Sequence, residues 1–344
     1  MKIKKINKNY SLVVLSAIAV FLSSCNEDNR LVEPENSLSE TTELAYPELS
    51  GKISEGYYEG TKVIYEDING DYVYEGDIIL EKKFVTENLN DLIHNKGDEV
   101  NLSRSVGRTS GRWPNNTVYY SIDGNLPNQY RVTDAIAHWE ANTNVKFVKR
   151  TNQSNYVYFT PSSGCSSSVG MVGGRQNINL ASGCSTGSTI HEIGHAVGLW
   201  HEQSRVDRDN YITINLNNVT SGKEHNFQTY AERGRDGDEY TSALDFNSVM
   251  LYSSYAFSKN GNPTITKKDG STYTANRTGL SSGDIAGIKI MYPGSGTGGD
   301  SYVNGQWYTI DGLRVYRYND QWWYYSSSSG WRQVVNRDGK WYWA

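Results

Sequence analysis

A chain of 344 residues is long enough for two or three domains and for a sizeable core in at least one of them. Its formal net charge of −5, with 21% charged residues, excludes the basic footprint of a nucleic-acid-binding protein. Aromatic residues make up 12% of the chain and crowd toward its C-terminus.

The N-terminus, MKIKKINKNYSLVVLSAIAVFLSSC, places four lysines before an apolar run from Leu12 to Leu22 and then small residues. This is the layout of a signal peptide over 1–25, too short and wrongly flanked for an ordinary membrane span. Export is therefore expected. Leu22-Ser23-Ser24-Cys25 resembles a bacterial lipobox, which implies lipid on Cys25 and an anchor in the outer membrane or at the cell surface, or secretion after processing. Cleavage elsewhere would leave Cys25 an incidental residue of the leader. Three cysteines are odd for an exported chain, and lipidation of Cys25 would leave Cys165 and Cys184 as a pair.

Residues 26–104 are acidic and polar. Val63, Tyr65, Tyr72 and Tyr74 alternate around Asn69-Gly70, which predicts a β-hairpin, on the plainest reading a solvated one. Arg104 and Arg108 come next, in a Gly/Ser-rich stretch suited to proteolysis. From 105 to 293 the pattern changes to that of a larger folded domain. Val118–Ile122 reads as a strand, and Val132, Ala135, Ile136 and Trp139 recur at helical spacing within Tyr130–Asn142. His138 falls beside that apolar face and reads as a packing or surface residue. Val145–Val148, Tyr156–Phe159 and Gln176–Leu180 read as further strands.

The stretch HEIGHAVGLWH, His191 to His201, carries the chemistry. Residues four apart on a helix share a face, so His191 and His195 can bind one metal ion. Glu192 sits beside that face, close enough to handle a water without being a ligand. Gly198 lets the chain turn out of the helix with φ > 0, and His201 can return as a third ligand. Three neutral imidazoles with an open position are the design of a catalytic zinc site, one Zn2+ per chain. His225 reads as a non-ligand, since the site is already served. Arg205 and the Asp207–Asp209 run read as an ion-pair network. Ser281-Ser282-Gly283-Asp284 resembles an N-cap, with Ile285, Ile288 and Met291 giving a closing helix its buried side.

Residues 294–300, GSGTGGD, are a flexible linker by composition. Beyond them, 301–344 hold Trp307-Tyr308, Trp322-Trp323-Tyr324-Tyr325, Trp331 and Trp341-Tyr342-Trp343 in turn-plus-strand repeats. They read as a small all-β module whose rings either make its core or present a face for a glycan or cell-surface ligand.

The helix motif matches the metzincin signature, and the residues after it narrow the resemblance. His201-Glu202-Gln203-Ser204-Arg205 with the Arg-Asp run resembles the astacin version, and Ser248-Val249-Met250-Leu251-Tyr252 resembles the astacin Met-turn. The likeness runs from about Trp113 to Tyr292. It implies an α/β (α+β) two-lobed zinc endopeptidase, acting on protein or peptide substrates, with Met250 as an apolar floor beneath the zinc. Tyr252 would be a movable ligand that can swing away to stabilise an oxyanion, against the plainer reading of a buried core tyrosine. Cys165 and Cys184 would form a disulfide. The family's other disulfide is missing at both ends, with Asn144 and Pro293 standing in its places. The strand Gln176–Leu180 would border the cleft and pair with extended substrate.

Tyr74-Glu75-Gly76-Asp77 resembles the F-x-G-D of astacin propeptides, so Asp77 would ligate zinc in a zymogen until an activating protease cuts before Trp113. The new N-terminus would fold toward Glu202, which is otherwise a solvated charge. Arg277 stands where related peptidases hold the residue after the scissile bond, favouring Asp or Glu there; otherwise it is an exposed surface arginine. The rival from another class is a surface adhesin or glycan-binding protein on an inactive metallopeptidase scaffold. A third reading keeps the hydrolase and changes the substrate to a non-protein one.

Overall fold

The computed structural model describes residues 43–58, 61–87, 107–108, 111–233 and 239–293, together with C-terminal strands between 306 and 343. The signal peptide, Cys25, Arg104 and the 294–300 linker lie outside the described residues. Among the described residues no helix is long and apolar enough to cross a membrane.

The acidic N-terminal segment contributes five strands: β1 (Lys52–Tyr58), β2 (Thr61–Ile68), β3 (Asp71–Tyr74), β4 (Ile78–Leu80) and β5 (Val85–Thr86). The expected hairpin is β2–β3, closed where Asn69 (φ 54°) and Gly70 (φ 90°) take the left-handed conformation. It is not a solvated hairpin. Tyr65 and Tyr74 are buried in a cluster with Tyr58, Val63, Ile78, Leu80, Val169 and Trp200, the last adjacent to His201. The alternating apolar positions of this segment therefore pack on the larger domain.

The larger domain continues with β6 (Thr117–Ile122), α1 (Tyr130–Asn142), β7 (Lys146–Lys149), β8 (Tyr156–Pro161), β9 (Cys165–Ser167), β10 (Arg175–Leu180), α2 (Thr186–Ala196), β11 (Ile212–Ile214), β12 (Ile265–Lys267) and α3 (Ser282–Met291). One ten-stranded sheet runs β5-β1-β2-β3-β4-β9-β10-β8-β6-β7. Strands β6, β7, β8 and β10 are parallel, and β9 is antiparallel to β10.

This order corrects the expected cleft border. Strand β10 is interior, flanked by β8 and β9, so on that side β9 is the outermost strand of the larger domain, with β7 at the opposite end. The free side of β9 is taken by β4, which runs parallel to it at Ile78 and Ser167.

Helix α1 buries Val132, Ala135, Ile136 and Trp139, and the Trp139 indole donates to the Ile190 carbonyl at 3.1 Å, fixing α1 against α2. A first core holds these with Val118, Phe159, Ile178, Leu180, Ile193 and Met250. A second core forms after His201 around Ile212, Val219, Phe227, Leu244, Tyr252 and Ile265. A disulfide joins Cys165 to Cys184, tying β9 to the turn before α2. At the site of the missing bridge, the Asn144 amide donates to the Tyr292 carbonyl at 2.9 Å, linking the same two places without sulfur.

The C-terminal strands β13 (Gln306–Ile310), β14 (Leu313–Tyr318), β15 (Gln321–Ser326), β16 (Gly330–Arg337) and β17 (Lys340–Trp343) form an antiparallel meander. Val315 and Val334 are buried, while Tyr318, Tyr325 and Trp331 are exposed. Tyr325 pairs across the ladder with Trp331, Tyr316 with Trp323, and alternate residues share a face, so these exposed rings lie on one side of the meander.

Candidate active site

Helix α2 starts at a Ser185 cap, whose hydroxyl accepts from the Ser188 N–H at 3.0 Å, and carries His191 and His195 one turn apart. It stops after Ala196, where Gly198 adopts φ 108° and frees the chain to return His201. The Nε2 atoms of His191 and His201 lie 3.2 and 3.1 Å from Asp77 Oδ2, and His195 Nε2 lies 3.7 Å from Asp77 Oδ1. All four ligand atoms fall within 4.8 Å of one another, and all four residues are buried.

Each imidazole is oriented from behind. His191 Nδ1 donates to the Val249 carbonyl at 2.8 Å, His195 Nδ1 to the Leu199 carbonyl at 2.8 Å, and His201 Nδ1 to the Glu75 carboxylate at 2.7 Å. With Nδ1 protonated, each Nε2 is left as an electron-pair donor toward the shared centre. His195 Nε2 and Asp77 Oδ1 are buried without a hydrogen-bond partner, a costly arrangement for polar atoms unless a cation satisfies them. Tetrahedral zinc bonded at about 2.0–2.1 Å would hold its ligand atoms roughly 3.3 Å apart, within the spread of these distances. The donor set fits zinc.

Asp77 reaches the centre because the backbone before it turns sharply. Glu75 (φ 48°) and Gly76 (φ 83°) are both left-handed, and a Cβ on Gly76 would meet the Phe257 ring at 2.8 Å. Burial works to raise the Asp77 carboxyl, but His201, His191 and His195 outweigh it and hold it well below the usual carboxylate range. Glu192 is fully buried with both carboxylate oxygens unpaired. Burial, then the Asp77 and Glu43 carboxylates, push its carboxyl well above the usual range, with Arg277 opposing.

Met250 lies fully buried below the helix, where Gly194 leaves room for its sulfur. Its loop is fixed by Asp284, which accepts from the Ser248 hydroxyl at 2.6 Å and the Val249 N–H at 2.9 Å while completing a capping box with Ser281 on α3. Tyr252 is buried in the second core, its ring 4.5 Å from that of His201, and its hydroxyl donates to the Glu75 carbonyl. Glu202 is not a solvated charge. It is buried, accepts from the Asp245 N–H at 2.8 Å and lies 3.7 Å from the Arg205 guanidinium. Arg205 forks onto Asp207 at 2.7 and 2.8 Å, the expected ion-pair network.

Arg277 is no exposed surface arginine. Its side chain is 11% exposed, and it pairs with Glu43 of the N-terminal segment. Arg108, a candidate cutting point from sequence, is buried and donates to the Val169 carbonyl at 2.9 Å, so it is not an open proteolytic site. His138 and His225 stand outside the metal cluster; His138 Nε2 accepts from the Leu280 N–H at 3.0 Å. Glu43, Glu75 and Arg233, which donates to Glu75, were not singled out in the sequence. Only the proximity of Glu75 to Asp77 pointed that way.

The Astacin peptidase family model matches residues 105–293, more than half of the chain. The chain belongs to the astacin family. It is a zinc metalloendopeptidase by that membership. Flavastacin from Elizabethkingia meningoseptica is 35% identical over 300 residues, 82% of this chain and 63% of flavastacin. Zinc metalloproteinase nas-4 from Caenorhabditis elegans is 33% identical over 305 residues, 86% of this chain and 93% of nas-4. The chain thus spans less than two thirds of the first relative and nearly all of the second. The structure of high choriolytic enzyme 1, a hatching-enzyme zinc protease from Oryzias latipes, shows 29% identity over 54% of this chain and 94% of that one, with a TM-score of 0.49.

Proposed function

We propose that this astacin is made as an inhibited precursor of a peptide-bond hydrolase. The observation that carries the reading is the Asp77 carboxylate lying among the three imidazoles, where substrate would otherwise be attacked. The propeptide, 26–104, enters the cleft along β9, and the signal peptide, 1–25, directs export, with Cys25 as a lipid anchor. Cleavage near Arg104 by an activating protease frees the 105–293 domain, whose new N-terminus docks toward buried Glu202.

His191, His195 and His201 hold the zinc, which supplies Lewis acidity for acidifying water and polarising a carbonyl. Glu192 takes the proton from the attacking water and passes it to the leaving amine, and its burial and unpaired oxygens suit that transfer. Once Glu75 has left, the Tyr252 hydroxyl is released to donate to the developing oxyanion. Arg277, freed of Glu43, receives an acidic residue after the scissile bond.

Buried Glu192 in an otherwise complete site, together with family membership, argues against an adhesin on an inactive scaffold. Attachment is kept for the C-terminal meander, where the shared face of Tyr318, Tyr325 and Trp331 suits stacking on a glycan. The precursor reading is tested by Asp77→Ala in the full chain. Zinc-loaded Asp77→Ala precursor should hydrolyse a fluorogenic peptide that the unaltered precursor leaves intact. Equal silence after metal loading would remove Asp77 from the inhibitory role.

A further inference from the structure

The N-terminal segment approaches the cleft at a second place. Residues Glu43–Tyr46 run beside the turn that carries Asp77, and the Ala45 N–H donates to the Gly76 carbonyl at 2.8 Å. Strand β9 turns the N–H groups of Cys165 and Ser167 toward the N-terminal segment. Cys165 N–H donates to the Leu44 carbonyl at 3.0 Å and Ser167 N–H to the Asp77 carbonyl at 3.0 Å. Two separate stretches of the segment therefore occupy the cleft edge.

Glu43 caps this second approach. Its two oxygens meet Arg277 Nε and Nη2, each at 2.6 Å, with the carboxylate and guanidinium side chains 6% and 11% exposed. Arg277 is itself held by the Met250 loop, with Nη1 donating to the Val249 carbonyl at 2.9 Å and the Leu251 carbonyl at 3.3 Å. The Val249 carbonyl is also the acceptor for His191. The Nε–Oε1 contact is a charge-assisted hydrogen bond and the Nη2–Oε2 contact an ion-pair approach, and shielding from water strengthens the attraction between the two charges.

We propose that Glu43 is a second latch, distinct from Asp77, which holds the precursor closed by filling the Arg277 pocket with a substrate-like carboxylate. The substrate-like part rests on the reading of Arg277 as the pocket for the residue after the scissile bond. Asp77 covers the metal, Glu43 covers the pocket, and a single cut near 104 leaves the released segment held at both places. Acidic peptides compete with Glu43 and speed its departure.

The test uses four full-length precursors: unaltered, Glu43→Gln, Asp77→Ala and the double variant. Each is assayed for zinc content, for turnover of a fluorogenic peptide and for hydrogen exchange at the Cys165 amide. Glu43→Gln alone should stay silent while its Cys165 amide exchanges faster. The double variant should turn over at least about tenfold faster than Asp77→Ala, the scale expected for a shielded charge pair. Glu43→Asp in the Asp77→Ala background should fall between them, since it keeps the charge on a shorter stem. The enzyme matured from each variant lacks both positions, so equal matured activity certifies the fold. Identical turnover and Cys165 protection in Asp77→Ala and the double variant would overturn the latch, as would full matured-level activity in Asp77→Ala alone. Matured enzyme assayed on peptides matched as Asp or Asn after the scissile bond tests the pocket separately. No acid preference together with release by Glu43→Gln keeps the latch and overturns the mimicry; acid preference with no effect of Glu43→Gln overturns the latch.

Discussion

His201 donates from Nδ1 to the Glu75 carboxylate at 2.7 Å, so the third imidazole is oriented by the N-terminal segment and not by its own domain. The same carboxylate accepts from the Ser204 hydroxyl at 3.0 Å and is paired with buried Arg233. Replacing it by Gln keeps an acceptor for His201 but leaves Arg233 without its counter-charge. Breaking a buried pair from one side costs about 3–5 kcal/mol, and losing the carboxylate behind a ligating imidazole weakens metal affinity by about 10–100-fold. The Glu75→Gln precursor should therefore melt lower and yield zinc to a chelator more readily. Matured enzyme from the same variant should match wild type in both measurements.

On the proposed reading, Arg277 would let the matured enzyme choose between substrates that differ only in charge. Arg277→Gln should lower kcat/KM for a peptide with Asp after the scissile bond by about tenfold or more, and leave its Asn counterpart close to unchanged. Paired kinetics on the two peptides measure this. An equal loss on both would indicate damage to the Val249 loop, which Arg277 also braces.

His225 couples stability to pH. Burial first, and then the nearby Arg233 charge, lower its imidazole from an ordinary 6.5 to about 4. A protonated form disfavoured by folding means that the unfolded chain binds more protons between those values. The stability contribution is therefore fully present above about pH 6.5 and is lost as the pH falls toward 4, at most about 3 kcal/mol in all. His225→Gln should flatten the acid limb of a melting-temperature profile of the precursor in that window. A profile of unchanged slope would remove His225 from the effect.

The sequence made the local parts of the site legible because they are written in local spacing. His191 and His195 share a helical face, Gly198 marks the helix end, and Ser281 with Asp284 marks a cap; each depends on contacts within a few residues. Contacts across the chain were out of reach of local spacing, and the family resemblance alone offered Asp77 at the imidazoles and the Cys165–Cys184 pair. Glu43 and Arg277 are 234 positions apart, and nothing in an acidic stretch distinguishes the one carboxylate that meets a guanidinium. The β9 edge was missed for another reason. Cys165–Ser167 is only three residues long and has no apolar alternation, so no strand was read there, and the resemblance put the border on Gln176–Leu180 instead. Arg108 read as open because Gly and Ser surround it, yet its hydrogen bond to Val169 buries it.

One zinc ion held by three imidazoles, with Glu192 moving the proton, is the proposed chemistry of the matured enzyme. It is tested most directly by metal analysis and a casein digest on matured Glu192→Ala beside matured wild type. Glu192→Ala should retain one zinc per chain and lose digestion by at least about a hundredfold, while wild type loses digestion only on chelation. Digestion by Glu192→Ala at the wild-type rate, or a wild-type enzyme that digests casein without any transition metal, would contradict the claim.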